Sequence, residues 1–365
     1  MLVEVTVSPN DAGQRAERYL RKYLPQLSTG RLQSLFRRKE IKVNKKAVEQ
    51  GYQLQAGDVL RVFGVRDEEA ESHDVVRNAP GARPARVERA AYPPPVILYE
   101  DFELLVVDKP AGVASHPGSG ILPGASLIER ARAYLSSGAT PVLSKKKRID
   151  SYANAEGDPV DAPLEDLLFA GSREGLEPGW GNELFSPSLV HRLDKDTSGV
   201  LLIAKTGSKL RDLTAAIRDG RIRKRYLALV AGRPEPSAGT IDAALERDDN
   251  PSGAKSLIAE DGDGKRSVTH YKTLKTVGNY ALLQVTIETG RMHQIRAHLS
   301  HIGHPIVGDT RYDRPAVARE RLKELGLKRL FLHAEELAWT DDGVKKVFKS
   351  PLPEDLRGVV GKVGK

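Results

Sequence analysis

Acidic and basic side chains are concentrated in the segment HRLDKDTSG, residues 191–199. If this segment is extended, side chains alternate between two faces, so Asp194 and Asp196 share a face with Arg192. If Asp194 instead begins a turn, residues 197–199 support it, because small hydroxyl groups bond the local backbone and glycine tolerates unusual dihedral angles. The segment alone therefore allows either a carboxylate pair for acid–base catalysis or a surface turn with local salt bridges.

Asp194 could also act as a nucleophile, which requires an ionised carboxyl group. A guanidinium within about 4–6 Å favours that anion against the effect of burial. Candidates are Arg192 and the arginines of TGRMHQIRAH, Arg291 and Arg296. Because these two lie five residues apart, one helix would not place them together, so one could pair with the carboxylate while the other holds phosphate. An ordinary surface salt bridge is the alternative for each.

A tyrosine at position 226 lies in the apolar segment KRYLALVAG. Strand alternation places Lys224 and Tyr226 on one face. Such a tyrosine is often a half-buried packing residue. Beside a catalytic carboxylate it could instead act as an acid, a base or a stacking surface.

Four histidines occur in RMHQIRAHLSHIGHP, residues 291–305, without an H-E-x-x-H pattern. The chain contains no cysteine, so disulfides, thiolate metal sites and cysteine nucleophiles are excluded. We therefore predict no metal site. The glycines of VASHPGSG match neither a dinucleotide fingerprint nor a P-loop, and no nucleotide cofactor is expected.

The 365 residues include 57 lysines and arginines against 49 acidic residues, a net charge of +8. This basic balance favours a polyanionic partner, with nucleic acid first among the candidates. No run approaches the ~18 apolar residues of a membrane span. We expect a cytoplasmic protein with no membrane partner.

Residues 1–65 hold twelve lysines and arginines against six acidic residues, which predicts RNA binding over a merely solvated surface. Candidate RNA-binding residues here are Arg31, Arg37, Arg38, Lys39, Lys42 and Lys45. Residues 66–94 are acidic and then rich in Ala, Arg and Pro, which is typical of a linker. Residues 95–352 have more strands than helices without strict alternation. This pattern predicts an α+β domain with a mixed, largely antiparallel sheet.

Two further segments depart from that domain pattern. Residues 137–185 are polar and rich in helix breakers, which predicts an inserted functional or unstructured loop. Residues 353–365 are assigned to a C-terminal tail.

Residues 1–65 resemble the alpha-L RNA-binding module of ribosomal protein S-four. The resemblance rests on AGQRAERYLRKYL, on STGRLQSLFRRKEIKVNKK and on LQAGDVLRV. From about residue 95 to residue 350 the chain resembles the RluA-type pseudouridine synthases, through DKPAGV, LVHRLDKDTSGVLLIAK, KRYLALVAG, TGRMHQIRAHLSHIGHPIVGDTRY and LFLHAEEL. Together these resemblances imply an enzyme that acts on structured RNA, in particular bacterial large-subunit ribosomal RNA, as a monomer without a cofactor.

The resemblance also implies residue roles. Asp194 matches the nucleophilic aspartate, Arg192 the arginine that replaces the flipped uridine, Tyr226 the tyrosine against the base, and Arg291 the arginine paired with the nucleophile. Arg296 then remains as an RNA-binding residue. Met292 stands where the family usually has Thr or Ser. Two alternatives remain: an RNA N-glycosidase, and a non-catalytic RNA-binding or ribosome-assembly factor.

Overall fold

A computed structural model describes residues 2–8, 11–24, 27–65, 92–118, 120–137, 185–249, 254–259, 264–341 and 343–362. Most of the linker assigned to 66–94 and nearly all of the insertion assigned to 137–185 lie outside these residues. Among the described residues, no helix is long and apolar enough to cross a membrane.

The N-terminal residues form a small sheet with two helices. Its strands are β1 (Val3–Thr6), β2 (Ile41–Val43), β3 (Lys46–Ala47) and β4 (Val59–Val62), and its helices are α1 (Ala16–Tyr23) and α2 (Thr29–Arg37). The strand order is β1-β4-β2-β3, antiparallel throughout. Leu32, Leu35 and Phe36 on α2 are buried, because their i, i+3, i+4 spacing places them on one helix face. This leaves the basic residues of α2 on its other faces.

The larger part of the chain is built on a ten-stranded sheet. It contains β5 (Val96–Glu100), β6 (Leu104–Lys109), β7 (Ser188–Leu189), β8 (Ser198–Ala204), β9 (Arg223–Ala231), β10 (Ala238–Asp242), β13 (Val268–Val277), β14 (Tyr280–Ile287), β15 (Leu332–Asp341) and β16 (Val344–Lys349). The main strand order is β10-β13-β14-β9-β15-β8-β6-β5, with β16 beside β15 and β7 beside β8.

Within that sheet, the pairing of β8 with β15 is parallel, while the other pairings described are antiparallel. The predicted α+β class with a mixed, largely antiparallel sheet is confirmed. A separate hairpin is formed by β11 (Leu245–Asp248) and β12 (Lys255–Ile258).

The remaining helices are α3 (Leu127–Ser136), α4 (Gly207–Arg218), α5 (Gln294–His301), α6 (Pro315–Leu325) and α7 (Glu354–Lys362). The segment 353–365, assigned to a C-terminal tail, contains α7 over most of its length. Leu356 and Val359 of α7 are buried in a cluster with Leu229 and Phe331, and burial of these side chains holds the segment as a helix.

Candidate active site

A cavity of about 610 Å³ opens beside β9, β14, the start of α5 and the β11–β12 hairpin. It brings together five of the residues singled out in the sequence. These are Arg192, Asp194, Tyr226, Arg291 and Arg296.

Asp194 begins a turn at the edge of this cavity. The backbone N–H of Thr197 donates to the Asp194 carbonyl oxygen at 3.1 Å, which selects the turn from the two conformations that the sequence allowed. Asp196 is exposed in the turn, while the Asp194 side chain is only 18% exposed. The two carboxylates therefore do not act as a pair, and Asp194 alone faces the cavity.

The buried Lys109 at the end of β6 stabilises the turn that begins at Asp194. Its Nζ donates to the carbonyl oxygens of Pro110, Lys195 and Thr197 at 3.0, 2.9 and 2.7 Å. Ser115 Oγ adds a bond of 2.6 Å to the Leu193 carbonyl oxygen. Lys109 of the DKPAGV segment and Ser115 just after it thus fix the backbone that carries the candidate nucleophile.

Gly199 at the end of the turn allows a close contact with the neighbouring strand. Its φ is +120°, and a Cβ there would lie 2.1 Å from the Ala334 carbonyl oxygen of β15. Any larger residue would push β8 away from β15. The glycine of HRLDKDTSG is therefore required by packing.

Arg296, and not Arg291, forms the ion pair with Asp194. Its Nη1 lies 3.1 Å from Asp194 Oδ2, while its Nε and Nη2 form a fork with Asp309 at 2.7 and 2.8 Å. Burial opposes the charge on Arg296, but its bonds to Asp309 and Asp194 and their negative charges outweigh this and raise its pKa. The guanidinium is thus fixed by a fully buried carboxylate and directed at Asp194.

Arg291 lies before α5 and is exposed. Its backbone N–H donates to Gln294 Oε1 at 3.1 Å, within a turn that precedes the helix. The helix α5 begins only at Gln294, so Arg296 lies in its first turn and points into the cavity. Arg291 lies before the helix and lines the cavity on the side that faces solvent. The predicted pairing of Arg291 with Asp194 is not formed among the described residues, and this expectation is corrected.

Tyr226 and Lys224 share the cavity-facing side of β9, as alternation predicted. Burial, and then the negative charge of Asp194, raises the pKa of the Tyr226 hydroxyl. Burial lowers the pKa of Lys224 to about 8. A phenol whose ionisation is suppressed can donate a hydrogen bond or offer its ring, but it is a poor base.

Two residues near Asp194 were not predicted as site residues. His293 Nε2 lies 3.7 Å from Asp194 Oδ2, and His293 Nδ1 lies 3.1 Å from the hydroxyl of Tyr312. Both lie inside motifs that carry the family resemblance. No pattern in the sequence indicated that the fold would place Tyr312 next to His293.

Arg192 is exposed at the cavity. The pKa of the nearby His116 is lowered by burial and then by the positive charge of Arg192. The Arg192 guanidinium is therefore open to solvent at the same cavity as Asp194.

The candidate RNA-binding residues of the N-terminal unit, residues 1–65, lie in α2, in β2 and in the turns that come directly after these two elements. Arg37, Arg38, Lys39 and Lys45 are exposed. Arg31 and Lys42 are half-buried, with Arg31 Nη2 bonded to the Gly64 carbonyl oxygen at 2.6 Å and Lys42 Nζ lying 5.1 Å from the centre of the Phe63 ring. They do not line the cavity that contains Asp194.

No group of three or more histidines, aspartates and glutamates suited to a metal ion occurs in the described parts of the chain. The Asp194 carboxylate in the cavity is instead paired with the Arg296 guanidinium.

The sequence model of a family described as RNA pseudouridylate synthase matches residues 103–301. A protein named ribosomal large subunit pseudouridine synthase C from Salmonella typhimurium is 34% identical over 96% of this chain and 92% of its own. The protein of the same name from Escherichia coli is 33% identical over 98% and 96%. A solved structure of human RNA pseudouridylate synthase domain containing 4 has 23% identity and a TM-score of 0.48, covering 74% of this chain and 93% of its own.

Proposed function

Because the chain belongs to the RNA pseudouridylate synthase family, we propose that it isomerises specific uridines of large-subunit ribosomal RNA, with Asp194 as the nucleophile. The observation that carries this proposal is the ion pair between Asp194 and Arg296 at a cavity. The relatives' printed name, which specifies the ribosomal large subunit, supports the substrate class.

The target uridine has to leave its stack before Asp194 can reach it. Extruding a base costs a few kcal/mol. Arg192 is exposed beside the cavity, where its guanidinium can fill the space that the base vacates. Phosphate contacts from cations of both parts of the chain offset the cost of extrusion.

Asp194 then attacks the nucleotide, either at the sugar or at the ring, through a covalent bond that breaks again before the product leaves and so returns the free carboxylate. The bond between N1 and the sugar C1′ breaks, the base turns, and C5 bonds to C1′. The proton that leaves C5 balances the proton gained at N1, so the product is an isomer of the substrate. Tyr226 keeps its proton and can lie against the base during the turn.

The same proposal includes the N-terminal unit. We assign RNA binding to Arg31, Arg37, Arg38, Lys39, Lys42 and Lys45, supported by the exposure of four of them and by the resemblance to the S-four module. We also propose a monomer, which the family resemblance supports, acting in the cytoplasm, where its ribosomal RNA substrate is found.

The test is Asp194→Asn, which keeps the shape of the side chain but removes its nucleophilicity. We expect no pseudouridine in a large-subunit ribosomal RNA transcript at any enzyme excess, with unchanged RNA affinity. Asp196→Asn is the matched control, because this exposed neighbour lies in the same turn, and it should retain wild-type conversion.

Full pseudouridine formation by Asp194→Asn would remove the nucleophile assignment. A lower RNA mass with abasic sites would instead identify an N-glycosidase. Cells in which Asp194→Asn restores every effect of deleting the gene would support the non-catalytic assembly factor.

A further inference from the structure

His293 adopts a backbone conformation that is uncommon for residues other than glycine. Its φ and ψ are 53° and 18°, in the left-handed region, immediately before α5. A non-glycine residue pays a conformational cost there, because its Cβ approaches the following carbonyl oxygen. Strain of this kind persists only where the surroundings enforce it, and it concentrates at functional sites.

The chain on both sides of His293 is held in place. Ser256 Oγ of β12 donates to the Met292 carbonyl oxygen at 2.5 Å. On the other side, Gln294 Oε1 accepts from Thr289 Oγ1 at 2.7 Å, and Gln294 Nε2 donates to the Val268 carbonyl oxygen at 2.9 Å. These bonds fix the left-handed turn and with it the direction of the imidazole. The bond from Ser256 is accepted by the backbone carbonyl of Met292 and not by its side chain, so methionine at this position does not disturb the bond.

The hydrogen bonds of Tyr312 and the charge of Asp194 together favour a proton on Nε2 of His293. Tyr312 Oη accepts from the Ser256 backbone N–H at 2.7 Å, so its own proton is available to His293 Nδ1 at 3.1 Å. With Nδ1 as acceptor, a neutral imidazole carries its proton on Nε2. The Asp194 carboxylate favours the same tautomer, because the other would turn a nitrogen lone pair toward its negative charge.

The imidazole is also kept neutral. Burial lowers the pKa of His293 to about 4, although the charge of Asp194 opposes this. A neutral N–H can orient a carboxylate without adding a second full positive charge to the one on Arg296.

His293 and Arg296 approach the same oxygen of the nucleophile. Arg296 Nη1 lies 3.1 Å and His293 Nε2 lies 3.7 Å from Asp194 Oδ2. Within the described parts of the chain, no hydrogen bond or ion pair reaches the other oxygen, Oδ1. We propose that His293, fixed by Tyr312, is a positioning residue that holds Oδ2 together with Arg296 and so leaves Oδ1 as the attacking oxygen.

This inference rests on the proposed function and names the oxygen that performs it. The gap of 3.7 Å exceeds a hydrogen bond. A small movement of the ring when substrate fills the cavity would close it, and catalytic hydrogen bonds often tighten only in the complex. When the sugar or ring later departs from Oδ1, the returning negative charge on the carboxylate is shared with Oδ2, where Nε2–H and Arg296 lie.

The test compares two replacements of His293. Asparagine tolerates the left-handed conformation and can reach Tyr312, but it is too short to reach Asp194. Glutamine extends an amide N–H to about the position of Nε2. Single-turnover rates at saturating RNA should fall about 10- to 100-fold in His293→Asn, by analogy with the loss from a small misplacement of reacting groups, and His293→Gln should recover part of the loss. RNA affinity should change less than about twofold in both variants, since neither removes a charge.

Tyr312→Phe supplies a second measurement. It should reduce the single-turnover rate in the wild-type background, because loss of the Tyr312 hydroxyl removes one of the two groups that hold the His293 imidazole in the tautomer with its proton on Nε2. It should have no further effect in the His293→Asn background, where the group that it orients is gone. His301→Asn is the matched control on the exposed face of α5 and should retain the wild-type rate.

Wild-type single-turnover rates in His293→Asn would overturn the positioning role, as would equal rates for His293→Asn and His293→Gln, or independent losses from His293→Asn and Tyr312→Phe. Failure of the proposed function looks different: the wild-type protein would then form no pseudouridine, or Asp194→Asn would remain active.

Discussion

Replacing Arg296 by methionine removes the central cation of the site while keeping much of its volume. Arg296 is 12% exposed, and its partners Asp309 and Asp194 are 0% and 18% exposed. The variant therefore leaves two carboxylates without their guanidinium, one of them fully buried. Removing one partner of a buried ion pair costs ~3–5 kcal/mol, which for a domain of this size lowers Tm by roughly 6–20 °C.

The chemical step should suffer as well, because Oδ2 of Asp194 loses its 3.1 Å bond. We expect the single-turnover rate at saturating RNA to fall ~100-fold or more. Arg296→Lys keeps the charge but cannot reproduce the fork with Asp309, so it should be intermediate in both Tm and rate. Rates are measured well below the lowest Tm, with quenched samples analysed for pseudouridine.

Arg291→Met is the matched control, since it removes the other arginine of the same motif. Arg291 is exposed, so its loss should leave Tm unchanged, weaken RNA binding and spare the saturated rate. The opposite result, in which Arg291→Met abolishes turnover while Arg296→Met spares it, would refute the assignment of Arg296 as the partner of Asp194 and restore the pairing implied by the family resemblance.

Two further predictions concern pH and salt. Burial lowers the pKa of Lys224 from 10.5 to about 8, so between these values the unfolded chain binds more protons and stability rises with pH by at most ~1.4 kcal/mol per pH unit. Urea midpoints of wild type relative to Lys224→Met should therefore increase from pH 8 to pH 10, and a constant difference would contradict the shift. Neutralising three exposed cations as Arg37→Gln, Lys39→Asn and Lys45→Asn should reduce the slope of log affinity against log salt by up to roughly 3. An unchanged slope would remove the N-terminal unit from phosphate binding.

The sequence was sufficient wherever a local pattern determined the geometry. Alternation along β9 placed Lys224 and Tyr226 on one face, and the small residues after Asp194 indicated a turn. The mixed sheet followed from many strands that do not alternate strictly with helices. These features depend on neighbours along the chain, which a sequence displays directly.

The misassigned arginine shows where such reasoning ends. Arg291 and Arg296 are both plausible partners for a carboxylate, and the choice depends on where α5 begins. That start depends on the left-handed conformation of His293, which in turn depends on bonds from Ser256 and Gln294. Ser256 is far from His293 in sequence, so no local pattern shows this contact. The helix α7 was missed for a similar reason, since its stability comes from Leu356 and Val359 meeting a distant cluster.

The two arginines of the motif have different electrostatic tasks. In the proposed reaction an anionic nucleophile approaches a polyanionic substrate, so repulsion between Asp194 and phosphate has to be offset. Asp194 and Arg296 at the cavity and the buried Asp309 behind them together carry one net negative charge. The exposed cations Arg192 and Arg291 line the same cavity without an ion pair to Asp194 among the described residues. Phosphates can therefore bind at the rim, while the inner guanidinium stays with the carboxylate. If Arg291 were the inner partner instead, the rim of the cavity would lose one of these exposed cations.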